Sequence, residues 1–234
     1  PLADGSDLGG SLRNPGSFCN VVGFRTAPGR VPVYPTILGS NPLSVEGPMA
    51  RTVRDAALLL SVLAGPDPRV PISIDEPGAV FTKPLERDFR GTKIAWSRNL
   101  GRYPVQAVVN DQCDSARSTF VELGCEVEEC EPDFSDADEI FDVLRAWSYA
   151  QTRRQDLSQH RNLIKETVVW NIERGLKLVP ADVERAEAKR RALIRRVSDF
   201  MEQYEFLVAP VSQVEPFPVE VEWIKEINGI RMET

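Results

Sequence analysis

Gly9-Gly10-Ser11 sets a hydroxyl directly after two glycines, with the guanidinium of Arg13 two places further on. A serine hydroxyl attacks a carbonyl only when a base takes its proton. It also needs backbone N–H donors aimed at the oxyanion that forms. Glycine reaches the positive-φ conformations that turn successive N–H groups into one concavity. The run Leu8-Gly9-Gly10-Ser11 can therefore supply both donors and nucleophile. The same tripeptide also suits a plain flexible turn. A phosphate-cradling loop would need a GK[ST] end entering a helix, and neither is present.

Other chemistries have less support. The one histidine, His160, lies in the middle of a helical stretch, so a His-rich metal site is excluded and a Ser-His-Asp triad would have to recruit that residue. Four cysteines (Cys19, Cys113, Cys125, Cys130) form no CxxC pair. Cys125 and Cys130 are five apart in an alternating stretch, and an odd offset on a strand puts them on opposite faces, poor geometry for a shared metal. They read as free thiols of a reducing, cytoplasmic compartment. No metal or other cofactor is implied. A net charge of −7 argues against nucleic acid or an anionic membrane as partner. The densest apolar run, "AALLLSVLAG", is too short to span a bilayer, and nothing at the N-terminus reads as a targeting segment.

The elements that must position the serine follow from the patterning. Residues 1–48, rich in Gly, Pro, Ser and Asn, read as loops with short extended pieces such as "NVVGF", and no strand precedes Ser11. "TVRDAALLLSVLAG" reads as a helix opened by a Thr52/Asp55 capping box and closed by Gly65-Pro66. A Pro-rich connection follows. "TKIAWS", an amphipathic stretch ending at Gly124, and "CEVEEC" spell strand, helix, strand, the signature of a parallel pair. Residues 135–203 read as helical, with Leu193, Val197, Phe200 and Tyr204 as a buried stripe. "KRRALIRR" reads as a solvated face. "YEFLVAP" reads as a strand stopped by Pro210, and the tail from Phe217 carries no recognisable terminator.

The stretch "GSDLGGSLRNPGSFCNVVGFRTAPGRVP" resembles the amidase signature family of serine hydrolases. Gly5, Ser6, Asp7, Gly9, Gly10, Ser11, Arg13 and Pro15 fit the family's G-[TS]-D-x-G-G-S-[IVL]-R-x-P pattern. Gly23, Phe24, Arg25, Gly29, Arg30 and Val31 fit its second block, and "GPMARTVRDAALLLSVLAG" and "YEFLVAPVSQVEPFP" look like later ones. Two departures are small: Gly16 stands where alanine is usual, and "RTAPGR" replaces a "KPT" version.

The resemblance implies an α/β fold, a mixed sheet flanked by helices with an extended helical region after residue 135. It makes residues 1–234 part of one domain: 1–65 the nucleophile loop and signature region, 66–92 a linker, 93–134 a βαβ unit and 135–234 the helical region and its following strand. It implies Ser11 as the nucleophile of amide hydrolysis through an acyl-serine, with the N–H groups of Leu8, Gly9, Gly10 and Ser11 as oxyanion hole and Ser6, Asp7 and Arg13 in support. The substrate would be a small-molecule amide, and a homo-oligomer is compatible with the family. In this family a second serine and a neutral lysine activate the nucleophile, and both precede it. All six lysines here follow Ser11 and match no catalytic position. A C-terminal "TGLPA"-like block is also missing. The chain is therefore expected to be an interior piece, inactive by itself and loosely held over residues 1–48. Two alternatives remain: a component of a glutamine-dependent transamidation complex, and a non-catalytic α/β binding module whose glycine loop is only structural.

Overall fold

The computed structural model describes residues 1–36 and 41–232; residues 37–40, within the stretch read as loop, and the last two of the tail lie outside the described residues. In chain order the elements are β1 (Leu2–Asp7), α1 (Arg13–Phe18), β2 (Val22–Gly23), β3 (Val45–Ala50) and α2 (Val53–Leu63). A 3₁₀ turn (Gly78–Thr82) leads to β4 (Lys93–Trp96), α3 (Ala107–Glu122) and β5 (Glu126–Glu129). Then come α4 (Ala137–His160), α5 (Glu166–Leu176), α6 (Pro180–Met201), β6 (Phe206–Val208), β7 (Glu226–Ile227) and β8 (Ile230–Arg231). The fold is α/β, with helices beside sheets of both orientations. It divides into two compact units: Pro1–Gly91, Tyr103–Cys125 and Ala209–Thr234 form one, Thr92–Arg102 and Glu126–Val208 the other.

The first unit holds the signature. β3 is the central strand of an antiparallel sheet ordered β1-β3-β2. β1 pairs with it along its whole length, from Leu2 opposite Ala50 to Asp7 opposite Val45. This corrects the reading of residues 1–48 as loop: a six-residue strand does precede Ser11. The Gly and Ser content of "LADGSD" hid it, because period-2 hydrophobicity is absent when both faces carry small or polar residues. It also removes the premise for loose packing there, since β3 supplies the backbone partners. α2 starts as expected, with the Thr52 hydroxyl accepting from Asp55 N at 3.1 Å. The Pro-rich connection is not free of structure. Its 3₁₀ turn lies against α2 so closely that a methyl on Gly78 would fall 2.3 Å from Ser61 O. The tail closes in the β7–β8 hairpin, whose Asn228 and Gly229 both take positive φ (52° and 79°), the two-residue turn that matches strand twist.

The second unit is a parallel sheet, β5-β4-β6, together with three helices. β4 is central and buries Ile94, Ala95 and Trp96, as a parallel strand covered on both faces must. α4 and α5 cross at Gly175, where a methyl would fall 2.0 Å from Ala146 O. Around that crossing Ile140, Val143, Leu144, Ala150, Val169 and Ile172 are buried. α6 begins at Pro180, with Asp182 accepting from Val179 N at 3.0 Å. Its predicted stripe is only half-buried, and Ala186 is its one buried residue. Nor is "KRRALIRR" merely solvated. Lys189 reaches Glu139 at 2.5 Å and Arg196 reaches Asp136 at 2.9 Å, so part of the basic run forms an ion-pair ladder to the start of α4.

Candidate active site

Asp7, the last residue of β1, organises the loop that follows. Its side chain is fully buried, at 0% exposure. One oxygen accepts from Gly10 N at 2.8 Å and from Arg13 Nη2 at 2.9 Å. The other accepts from Arg13 Nε at 2.9 Å and from Leu12 N at 3.3 Å. Arg25 adds a third direction: its Nη1 lies 3.0 Å from Asp7 Oδ1 and donates to the Asp7 carbonyl, while Nη2 donates to Leu43 O at 3.0 Å. Burial by itself would raise the carboxyl's pKa. The hydrogen bond from Arg13, the Gly10 N–H, the Arg13 charge and the Leu12 N–H together outweigh it and hold Asp7 well below the usual carboxylate range. In turn, the hydrogen bond to Asp7 raises the Arg13 pKa against the opposing effect of burial.

The loop is fixed from below as well. Leu12 is completely buried. Its carbonyl lies where a methyl on Gly23 would fall, 2.0 Å away, and its methyls lie 3.0 and 3.1 Å from where Gly47 and Gly5 would carry theirs. Three of the signature region's glycines thus admit one leucine. Gly10 takes φ +117°, a conformation other residues rarely adopt, and its carbonyl accepts from Asn14 N at 2.7 Å. This turn leads from strand to α1 and leaves Ser11 exposed at its top.

Ser11 therefore sits on a rigid turn with an accessible hydroxyl, which among the described residues makes no hydrogen bond. Of the four expected oxyanion donors, the Gly10 N–H is directed to Asp7. Those of Leu8, Gly9 and Ser11 make no loop hydrogen bond among the described residues. Ser6 is exposed on β1, opposite Glu46, and its hydroxyl has no hydrogen bond among the described residues. Arg25 and Leu12 escaped the sequence reading as parts of this assembly. Arg25 had a signal in the second signature block; nothing in the local pattern marks Leu12, whose burial depends on three glycines spread from Gly5 to Gly47.

A cleft of about 590 Å³ opens beside α1 in the same unit. Arg13, Val22, Val109, Cys113, Val211 and Val214 are among its walls, and Ser11 is not. Ser17 on α1 meets Ser212 at 2.6 Å between hydroxyls, and Phe18 packs edge-on against Phe217 at 5.3 Å. The segment 209–217 is thereby tied to the helix behind the loop.

Lys83, Lys93, Lys165, Lys177 and Lys225 are exposed, as is His160. Lys189 has its pKa pushed up by Glu139 and Asp136, opposite to what a neutral amine base requires. Among the described residues no group of three or more His, Cys, Asp or Glu could hold a metal ion, and no helix is long and apolar enough to cross a membrane. The four cysteines are free thiols.

Comparison with known proteins adds an independent line. A family model described as Amidase matches residues 1–226. An acylamidase of Rhodococcus erythropolis is 33% identical over 224 residues, which cover 94% of this chain and 46% of that protein. One component of the glutamyl-tRNA(Gln) amidotransferase of Thioalkalivibrio sulfidiphilus is 37% identical over 129 residues, 55% of this chain and 27% of that one. The solved structure of a bacterial aryl acylamidase of the amidase signature enzymes family superposes with a TM-score of 0.87 at 29% identity, covering 100% of this chain and 51% of that one. The chain thus spans about half the length of these two acylamidases.

Proposed function

The chain belongs to the amidase signature family, and we propose that Ser11 is the nucleophile with which the whole protein hydrolyses a small carboxylic amide. The observation that carries this reading is the exposed Ser11 hydroxyl on a turn held from beneath by the buried Asp7 and Leu12. Ser11 Oγ bonds to the amide carbon, and the carbonyl electrons move onto oxygen. The N–H groups of Leu8, Gly9 and Ser11 are the donors for that oxyanion. Gly10 acts on geometry, since its N–H belongs to Asp7. A donor of this kind is worth about 3 kcal/mol to the transition state. Collapse of the adduct breaks the C–N bond, the amine leaves with a proton, and water then cleaves the acyl-serine. The proton from Ser11 goes to a base. In the family pattern this is a lysine acting through a second serine, and none of the six lysines of this chain fits that role. Asp7 and Arg13 support the loop and touch no reacting atom.

The acylamidase matches along 94% of the chain and the amidotransferase component along 55%, which supports a hydrolase over a member of a transamidation complex. The four free thiols support a reducing compartment such as the cytoplasm. The test is a serine-directed fluorophosphonate applied to the whole protein, with Ser11→Ala as control. Labelling at Ser11 and loss of amide turnover in the folded variant are expected. A variant with ordinary turnover refutes the assignment, and obligate co-purification with other proteins would favour transamidation.

A further inference from the structure

Arg25 lies just past β2, on a segment strapped to β3 on both sides of it. Phe24 N donates to Pro48 O at 3.0 Å, and the Thr26 hydroxyl donates to Glu46 O at 2.7 Å. β1 runs along the other edge of β3 and ends at Asp7. The Arg25 side chain bridges the two edges at the start of the central strand. Its Nη2 donates to Leu43 O, just before β3, at 3.0 Å. Its Nη1 lies 3.0 Å from Asp7 Oδ1 and donates to the Asp7 carbonyl. These contacts have different uses. The carboxylate already has a charge partner in Arg13, which reaches it with two nitrogens. The hydrogen bond to the Asp7 carbonyl is one that Arg13 does not make.

A peptide group is planar and trans, so the Asp7 C=O and the Leu8 N–H belong to one rigid plate and point in opposite directions. Fixing the oxygen fixes the N–H. The plate needs such a hold, because β1 ends at Asp7 and Leu8 has no partner on β3. The Leu8 N–H itself makes no loop hydrogen bond among the described residues. It is therefore a free donor whose direction is set from behind, through its own carbonyl. A charged donor on that carbonyl also polarises the peptide and strengthens the N–H on its far side. We infer that Arg25 is the positioning residue of the Leu8 N–H, one of the oxyanion donors that Asp7 leaves free. Arg25 touches no reacting atom and acts through the Asp7–Leu8 peptide. The inference rests on the reading of Ser11 as nucleophile.

The experiment follows labelling of Ser11 by a fluorophosphonate in the whole protein, across probe concentrations, so that the saturating rate is separated from probe affinity. The phosphoryl oxygen gains charge as Ser11 attacks phosphorus and fluoride leaves, so the saturating rate reports the donors around it. Arg25→Met keeps an unbranched side chain and loses every donor. Its saturating rate should fall about tenfold to a hundredfold, with probe affinity little changed. Arg25→Lys returns a donor to the Asp7 carbonyl and should recover most of that loss. A purely structural role would lower the folded fraction, read by thermal melts, and leave the rate per folded molecule unchanged. An unchanged saturating rate in folded Arg25→Met, a loss confined to probe affinity, or a lysine variant as slow as the methionine one overturns the inference. If Arg25→Met does not fold, the lysine variant decides: a rate within a few-fold of wild type is expected, and a fall of about tenfold or more overturns the inference. A wild-type protein that is not labelled at Ser11 refutes the nucleophile reading and this inference with it, whereas a labelled wild type with an equally fast Arg25→Met refutes this inference alone.

Discussion

Replacing Asp7 with asparagine keeps the shape of the side chain and removes its charge. In the native site the two carboxylate oxygens accept from Gly10 N, Leu12 N, Arg13 Nε and Nη2, and Arg25 Nη1. Asparagine offers one oxygen, and its NH₂ would have to face donors. Two guanidiniums would also lose their counter-charge. Breaking a buried ion pair by removing one partner is destabilising by about 3–5 kcal/mol. Asp7 is at 0% exposure, but the Arg13 side chain is at 46% and can turn to water, so the lower end applies. For a chain of this size about 3 kcal/mol corresponds to a fall in Tm of about 6–12 °C. The pH dependence has a definite sign. The folded pKa of Asp7 is depressed, so its contribution is fully present above the ordinary aspartate value of about 3.9 and is lost only as pH falls through the lower folded value. The gap between wild type and Asp7→Asn should therefore persist undiminished from neutrality to about pH 5. Thermal melts of both proteins across that range test this. A variant that melts with the wild type at pH 7 would show that the clamp holds nothing, and the account of how Ser11 is positioned would go with it.

Three further outcomes follow from the same geometry. Glu46 has its pKa raised by burial and by nearby Asp4, so its charge opposes folding at neutral pH. Glu46→Gln should raise Tm at pH 7, and the gain should vanish on acidification below about pH 4, where the wild-type carboxyl is protonated in both states; a lower Tm at neutrality contradicts this. Gly175→Ala would force a methyl to 2.0 Å from Ala146 O, so urea unfolding should show a loss of about 1–3 kcal/mol from separation of α4 and α5; an unchanged midpoint would mean that the crossing is loose. In hydrogen exchange, β1 amides bonded to β3 should be protected along with their partners in residues 45–50; exchange at the rate of an open chain would restore the view of residues 1–48 as loosely held.

What could be read from residue order alone was the part with local physics. α2 announces itself through Thr52, whose hydroxyl does accept from Asp55 N. β4 and β6 read as short apolar runs ended by polar or proline residues, and both lie in the parallel sheet. The hairpin at "INGI" is equally legible, because Asn-Gly is the residue pair that two positive φ values demand, although the tail reads as unpunctuated when only strand and helix patterns are sought. β1 was not readable in this way. Its glycine, serine and aspartates give no alternation, and it is a strand only because β3, some forty residues later, supplies its partners. The α4–α6 ion-pair ladder was hidden for the same reason: Arg196 finds Asp136 across sixty residues, and a basic run on one helix carries no record of the acids on another.

The candidate site divides along the same line, and the division bears on its chemistry. The glycines before Ser11 mark a turn, and Gly10 does adopt positive φ there. What sequence could not say is which N–H groups the turn leaves free. An aspartate two places before a Gly-Gly pair can cap the turn or stand aside, and only its hydrogen bonds decide. Here Asp7 takes the Gly10 N–H at 2.8 Å, as well as the guanidinium of Arg13. The second glycine is thus required for its conformation, while the N–H groups that make no loop hydrogen bond among the described residues are those of its neighbours. An N–H already bonded to a carboxylate is a poor second donor to an oxyanion, because two negative groups would share one proton. Under the proposed role of this loop, the same carboxylate fixes the turn in advance, so the remaining donors would not have to reorganise as charge develops. Rigidity of the loop and the number of its free donors are therefore set against each other by one residue, Asp7.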